Sequence, residues 1–391
     1  MKKYIPLSVP NLNGNEKKYI IDAIEQEWVS TGGAYIDSLE KNIAQYLHTT
    51  DAVACQSGTA GLHLALRLSG VSYNDAVIVP TLTFIAAVNP VRYLGAEPIF
   101  MDCDHSLTMD PHKLMRFIIE ECLFDGQVLT HKKTKRYIKA VVVVHIFGNA
   151  AEMETIMNIA SQYGLKVIED ATEALGTYYK EGVYKNQYLG TIGDFGVYSF
   201  NGNKIITTGG GGMLVAKEDD ILQRAKYLST QAKDDPVYYE HHEIGYNYRM
   251  TNLQAAVGVA QLEQLEDFIE IKRQNYKLYK ELLEEVEEVE VLDFKKEIRP
   301  NYWFYSLCIN KDINRDWLIQ ELQKKGIQTR PIWGLIHEQK PYVDCEHYCI
   351  QTATFYRNCI INIPCSTNLS KEDVYEVVAT IKKLVGKKTN D

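Results

Sequence analysis

The chain has 391 residues, 46% of them hydrophobic and 24% charged, which is enough apolar material for a large core and, by length, for two or three structural domains. A formal net charge of −9 argues against a broad nucleic-acid footprint, which needs a basic face that displaces counterions from phosphates. No stretch approaches the roughly 20 apolar residues of a membrane span, and the start MKKYIPLSVPNLNGNEKK lacks the apolar core of a signal peptide, so a cytoplasmic protein is expected.

From residue 50 to about 215, short runs rich in Val and Ile alternate with helical stretches. This pattern predicts an α/β fold with a mostly parallel sheet covered on both faces. The run DAVACQS (51–57) leads through Gln56-Ser57-Gly58-Thr59 into a helix over 59–70. The free N–H groups of a helix N-terminus suit a phosphate, although the same residue types also serve as simple caps. The next run, AVIVPTLTF (76–84), carries Phe84 past its strand, where the ring can stack on a flat heterocycle or fill a core.

EPIFMD (97–102) and KAVVVVHIFG (139–148) follow, and the second ends in His145 with Gly148 close behind, a rim position that, taken in isolation, reads as a satisfied structural histidine. A helix over 151–164 ends at Gly164, as the earlier one ends at Gly70; both glycines suit helix C-termini. LKVIED (165–170) runs into Glu169-Asp170-Ala-Thr-Glu173. A carboxylate after a wholly apolar run must find a partner or ionise poorly. A protonated pyridine nitrogen would be such a partner, and a helix N-cap by Asp170 is the competing explanation.

DFGVYSF (194–200) then gives Ser199-Phe-Asn201-Gly-Asn203-Lys204, followed by Ile-Ile-Thr-Thr and the glycines 209–212. Ligands of open α/β sheets bind beyond the carboxyl ends of the strands, so Lys204 is placed where chemistry is done. A lysine, with an ordinary pKa of about 10.4, becomes a reactive amine only in a site that desolvates it or converts it to a Schiff base. A Walker loop has its glycines before the lysine, the reverse of the order here, and no GxGxxG dinucleotide loop follows the first strand.

Residues 250–290 read as a long helical region with a charged outer face that links to a smaller α+β domain. That domain is expected to hold a strand at 302–309, a helix at 315–326 and a last helix at 371–386. The division is therefore 1–250 for the large domain and 251–391 for the linking helix and small domain. HKKTKRYIK (131–139) reads as an exposed loop rather than a diphosphate site. The eight cysteines form no CxxC pair, so they are expected to be reduced, and Cys345-Glu-His347-Tyr-Cys349 reads as structural; no metal is expected.

Gly58-Thr59, Phe84, Asp170 and Ser199-x4-Lys204 fall in the order found in fold-type-I pyridoxal-phosphate enzymes, and the chain resembles sugar-nucleotide aminotransferases of the DegT/DnrJ type. The resemblance extends over nearly the whole chain, including Trp28-Val-Ser-Thr-Gly-Gly33, Glu169-Asp-Ala, the Lys204 loop and Gly245-Tyr-Asn247-Tyr-Arg-Met250. It implies that Lys204 holds the cofactor as a Schiff base and acts as base and acid, that Asp170 pairs with the pyridine nitrogen, and that Phe84 stacks on the ring. Gly58, Thr59 and Ser199 would hold the phosphate, and Glu173 would stand near the ring hydroxyl. Asn247 would reach the phosphate from a neighbouring subunit, which implies a homodimer with shared active sites.

Two departures stand out: Asn201 where many relatives have His, and Gly209 to Gly212 where Gly-acid-Gly-Gly is common. Ser-Phe-Asn-Gly-Asn-Lys resembles the subset that aminates 4-keto-6-deoxy-2-acetamido sugars for surface glycans, with glutamate as donor and a UDP- or GDP-linked substrate. Trp28, Thr31, His145, Tyr178 and Trp333 are candidates for gripping the nucleotide by position. The alternatives are a sugar dehydratase on the same scaffold, whose relatives replace the lysine, and a non-catalytic regulator.

Overall fold

The computed structural model describes residues 3–235 and 237–386; residues 1–2 and 387–391, at the ends of the two expected domain ranges, and residue 236 lie outside the described residues. The six apolar runs form strands at Val53–Cys55, Ala76–Pro80, Glu97–Met101, Tyr137–Val144, Lys166–Asp170 and Phe195–Ser199. Read across, the main sheet has the order 53–55, 212–216, 195–199, 166–170, 137–144, 76–80, 97–101, 347–348. Strand Gly212–Ala216 is antiparallel to both of its neighbours, while the remaining strands on this path run parallel. A hairpin, Cys122–Phe124 with Leu129–His131, extends strand 137–144. Val141, Val142 and Val143 are wholly buried, as expected for a central strand covered on both faces.

Helices cover the sheet. Helix Gly58–Leu68 starts at Ser57, whose hydroxyl accepts the Ala60 N–H at 3.1 Å, and it lies close on strand 195–199 because Gly61 has only hydrogen where a Cβ would approach Val197 to 2.8 Å. Helix Met153–Tyr163 ends at Gly164 in the left-handed region, φ 67°, which glycine adopts without a Cβ penalty.

The helical region expected over 250–290 is two helices, Asn252–Leu262 and Leu265–Leu283. The first opens with a Thr251–Gln254 capping box. The chain turns between them at Gln264, whose side chain reaches Glu16 at 2.9 Å and the Ala260 carbonyl at 3.3 Å. Residues 289–363 supply a four-stranded antiparallel sheet in the order 289–291, 305–309, 360–363, 330–331.

Three contacts tie this sheet's surroundings to the large one. Strand His347–Tyr348 joins the main sheet beside 97–101. Strand Ile298–Arg299 pairs with Tyr178–Tyr179. Asp102, buried at the end of strand 97–101, accepts N–H bonds from Gln351, Thr352 and Ala353 at 2.7–2.9 Å and so caps helix Thr352–Cys359. Among the described residues no helix is long and apolar enough to cross a membrane. The 131–139 segment turns between strands 129–131 and 137–144, with His131 bonded to Thr134 and Lys133 to Glu346.

Candidate active site

The carboxyl ends of five parallel strands and the start of helix 58–68 enclose a cavity of about 250 Å³. Its lining includes Gly58, Thr59, Phe84, Asp170, Glu173, Ser199 and Lys204, so seven residues singled out along 147 positions of chain meet in one place. A larger cleft, about 440 Å³ and lined by His48, Asp194 and Lys217 among others, lies at the opposite edge of the sheet. The carboxyl-edge cavity is the chemical candidate, because it holds a lysine amine and two buried carboxylates.

The helix start forms the cradle. The first N–H groups of a helix have no partner within it, and of these the Ser57 hydroxyl takes that of Ala60. A Cβ at Gly58 would come to 3.0 Å from both Ser199 Cβ and Thr172 Cγ2, so the glycine keeps open a space between the two strand ends. The glycine run has its own geometric reason. A Cβ on Gly212 would stand 2.6 Å from backbone atoms of Ser57 and Gly58, so strand 212–216 can lie against the cradle only with glycine there.

Asp170 is buried, and among the described residues its one backbone donor is the Thr172 N–H at 3.1 Å. Burial pushes its carboxyl above the usual range, against the opposing pull of Thr172 and Lys204. Glu173, also buried, has its carboxyl pushed up to about 7 by burial. The Lys204 amine 3.7 Å away and the Phe147 N–H at 2.8 Å oppose that rise without cancelling it. The Lys204 amine has a second neighbour in the Trp303 ring, whose centroid is 4.3 Å away.

Phe147, Asn301 and Trp303 are parts of this arrangement that the sequence did not single out. Phe147 sits at φ 56°, uncommon for a side chain of this size, and this conformation accompanies its N–H bond to Glu173. Asn301 donates to the carbonyls of Glu173 and Leu175 at 2.9 and 3.0 Å and accepts the Trp303 N–H at 3.0 Å. The one available signal was Gly148, at φ 88°, directly after Phe147.

The remaining candidates separate. Trp333 has its ring centroid 6.3 Å from that of Phe84 and 5.1 Å from that of Phe147, beside the cavity. His145 does not line it: the ring is buried, Nε2 meets Glu169 at 2.8 Å, and Nδ1 accepts the Ala151 N–H at 3.2 Å, so no ring atom is left for a nucleotide. Tyr178 stands on the pair with strand 298–299, its ring 5.4 Å from the Arg299 guanidinium, and it too is outside the cavity lining. Trp28, Thr31 and Asn247 of this chain are likewise outside the lining. The Trp28 carbonyl accepts from Asn252 at 2.7 Å while its side chain is 59% exposed, and Asn247 lies exposed at a bridge to Thr230.

A parallel sheet carrying a lysine and a buried aspartate at its carboxyl edge, opposite a helix N-terminus, defines a fold-type-I pyridoxal-phosphate enzyme. The chain matches the DegT/DnrJ/EryC1/StrS aminotransferase family over residues 10–382 and belongs to it. It is 38% identical over 387 residues to the GDP-perosamine synthase of Escherichia coli O157:H7, with 99% of this chain and 100% of that one covered. It is 35% identical over 385 residues to the GDP-perosamine synthase of Vibrio cholerae, covering 97% and 98%. Among solved structures, a DegT DnrJ EryC1 StrS aminotransferase from Brucella abortus superposes with a TM-score of 0.86 at 27% identity, covering 95% of each chain.

The residues present fit this family's cofactor, pyridoxal phosphate. Gly58 leaves room for a group at the helix N-terminus, and Asp170 is a buried acid short of donors. The Lys204 amine reaches the same cavity from the far strand end.

Proposed function

We propose that this aminotransferase moves the amino group of glutamate onto a nucleotide-linked 4-keto-6-deoxy sugar for surface glycan synthesis. The observation that carries the reading is the meeting of the Lys204 amine with buried Asp170 and Glu173 around one cavity. The link to nucleotide sugars draws on the relatives whose printed name is GDP-perosamine synthase; they favour a GDP carrier. The Ser199-Phe-Asn-Gly-Asn-Lys204 segment supports a 2-acetamido sugar, for which UDP is the other carrier to test.

Bound pyridoxal phosphate supplies an electron sink for the carbon that gains or loses a proton. The protein's residues do the rest. Lys204 would hold the cofactor through its amine, and that amine, when free, would serve as the base at the donor's α-carbon and the acid at the sugar carbon, as general acid/base catalysis requires. Asp170 holds the proton on the ring nitrogen, because a buried carboxylate short of donors is stabilised by a cationic partner.

Gly58 and Thr59 N–H groups with the Ser199 hydroxyl would hold the phosphate, Phe84 would stack on the ring, and Glu173 would stand near the ring hydroxyl. Asn247 serves the phosphate of a second copy, which makes the working unit a homodimer. Trp28, Thr31 and Trp333 are the remaining candidates for the nucleotide.

The test is a panel of UDP-, GDP- and dTDP-linked 4-keto sugars with glutamate, followed by mass of the amino-sugar product. The purified protein should carry a visible absorption band that bleaches with glutamate and returns with the keto sugar. A protein that stays colourless after cofactor is added sinks the enzyme reading. Amination at carbon 3 overturns the sugar assignment, and loss of water without amine gain points to the dehydratase alternative.

A further inference from the structure

Trp303 lies 100 residues beyond Asn203, yet its indole Nε1–H donates to the Asn203 carbonyl at 2.7 Å, one residue before Lys204. The same indole presents its ring to the Lys204 amine, 4.3 Å from centroid to Nζ. Lys204 is therefore fixed twice by one side chain, through its backbone on one side and its ammonium on the other. Glu173 is the other neighbour of the amine, at 3.7 Å.

Trp303 is itself held rigidly. It is buried; its N–H donates to Asn301 Oδ1 at 3.0 Å, and its carbonyl accepts from the buried Lys272 amine at 3.0 Å. Its ring stacks on Phe304 with centroids 4.0 Å apart. A buried tryptophan needs an acceptor somewhere, and an ordinary core role would be satisfied by any carbonyl. Here the acceptor is the peptide next to the reactive lysine, and the π face meets the amine.

We propose that Trp303 is a positioning residue for Lys204: it holds the resting place of the amine whenever Lys204 is not bonded to the cofactor. This rests on Lys204 being the cofactor lysine. The donor half-reaction would release that amine and the sugar half-reaction would bring it back, so a lysine that wanders after release slows its return. An indole face attracts an ammonium, and the indole together with the Glu173 carboxylate keeps the amine at the cavity where the proton must move. The N–H bond to Asn203 limits the travel of the loop that carries it.

The test compares wild type with Trp303→Phe, which keeps a ring face and loses the N–H, and Trp303→Leu, which loses both. Cofactor-free protein is mixed with pyridoxal phosphate, and the bond to Lys204 is trapped with borohydride over time and located by mass spectrometry. In parallel, the Kd for pyridoxamine phosphate is measured, a ligand that fills the same cradle without bonding lysine. The expected result is a rate of bond formation about tenfold lower in Trp303→Leu and about threefold lower in Trp303→Phe, with the pyridoxamine phosphate Kd unchanged in both.

Rates equal to wild type in both variants overturn the proposal. So does a parallel loss of bond formation and pyridoxamine phosphate affinity in Trp303→Phe, which marks a merely structural role; that conservative variant decides the matter if Trp303→Leu does not fold. Wild type that forms no trappable bond at Lys204 is a different failure, seen before any variant is compared. It removes the assignment of Lys204 and the proposal with it.

Discussion

Strand Lys166–Asp170 ends in two adjacent carboxylates that face opposite sides, as neighbours on a strand must. Glu169 is wholly buried and saturated: it accepts N–H bonds from Gly190, Ile192 and Gly193 at 2.5–2.9 Å and meets His145 Nε2 at 2.8 Å. Asp170 is buried almost as deeply, has one backbone donor in Thr172, and borders a cavity. Burying a charge is costly unless hydrogen bonds and partners offset it. The protein supplies them in full at Glu169 and leaves Asp170 short. Burial alone does not mark a functional carboxylate; the count of donors around it does.

The largest expected effect lies on the cavity side and removes the amine. Lys204→Ala should lower turnover by about 10⁴-fold while denaturant unfolding stays near wild type, since the buried Ile205 and Ile206 that anchor the loop are untouched. Measurable amino-sugar formation at near wild-type rate would refute the role of Lys204.

Asp170→Asn comes next. An amide can still accept the Thr172 N–H, so the fold should hold, but the site loses the negative charge that stabilises a protonated ring nitrogen. A fall in kcat of about 10²- to 10³-fold is expected, with the unfolding midpoint unchanged. A variant that instead unfolds early would place Asp170 in the same class as Glu169.

Glu169→Gln should invert that pattern. An amide NH₂ must face either the Ile192 and Gly193 N–H groups or those of Gly190 and His145, so a buried donor meets donors. The expected loss is about 3–5 kcal/mol of stability, read by chemical denaturation, with kcat of the folded fraction unchanged. If Glu169→Gln kept its stability and lost activity, the contrast between the two neighbours would collapse.

How much of this could be read from the sequence follows from the range of the forces involved. Strand runs such as Lys166–Asp170 and Phe195–Ser199 are legible because a strand buried on both faces must be apolar throughout, and the rule that ligands bind at the carboxyl edge then collects Asp170, Ser199 and Lys204. The sequence could not separate Glu169 from Asp170, since the donors that saturate Glu169 come from a loop 21–24 residues further on. His145 looked like a rim residue for the same reason: its partner Glu169 belongs to another strand. Strand Gly212–Ala216 was hidden by its glycine, whose purpose appears only when Ser57 and Gly58 are packed against it. Trp303 and Asn301 reach the site from beyond residue 300, across contacts that no local pattern encodes.

Glu173 stands between the two extremes, and its pH behaviour gives the smallest and most specific test. It has the Phe147 N–H and the Lys204 amine as partners, fewer than Glu169, and burial pushes its carboxyl up to about 7. An acid whose folded-state pKa lies above its unfolded value of about 4.5 is stabilised by protonation on folding. Its presence therefore costs nothing below about pH 4.5, and the cost of burying the charge grows as pH rises to about 7 and levels off beyond. Glu173→Gln carries no such charge. In cofactor-free protein the variant should gain stability relative to wild type as pH goes from 5 to 8, by about 2 kcal/mol. Unfolding curves at both ends of that range provide the measurement. A stability difference independent of pH would mean that Glu173 is as well satisfied as Glu169, with Lys204 as a full ion-pair partner; a difference that grows in the acid direction would reverse the sign of the argument.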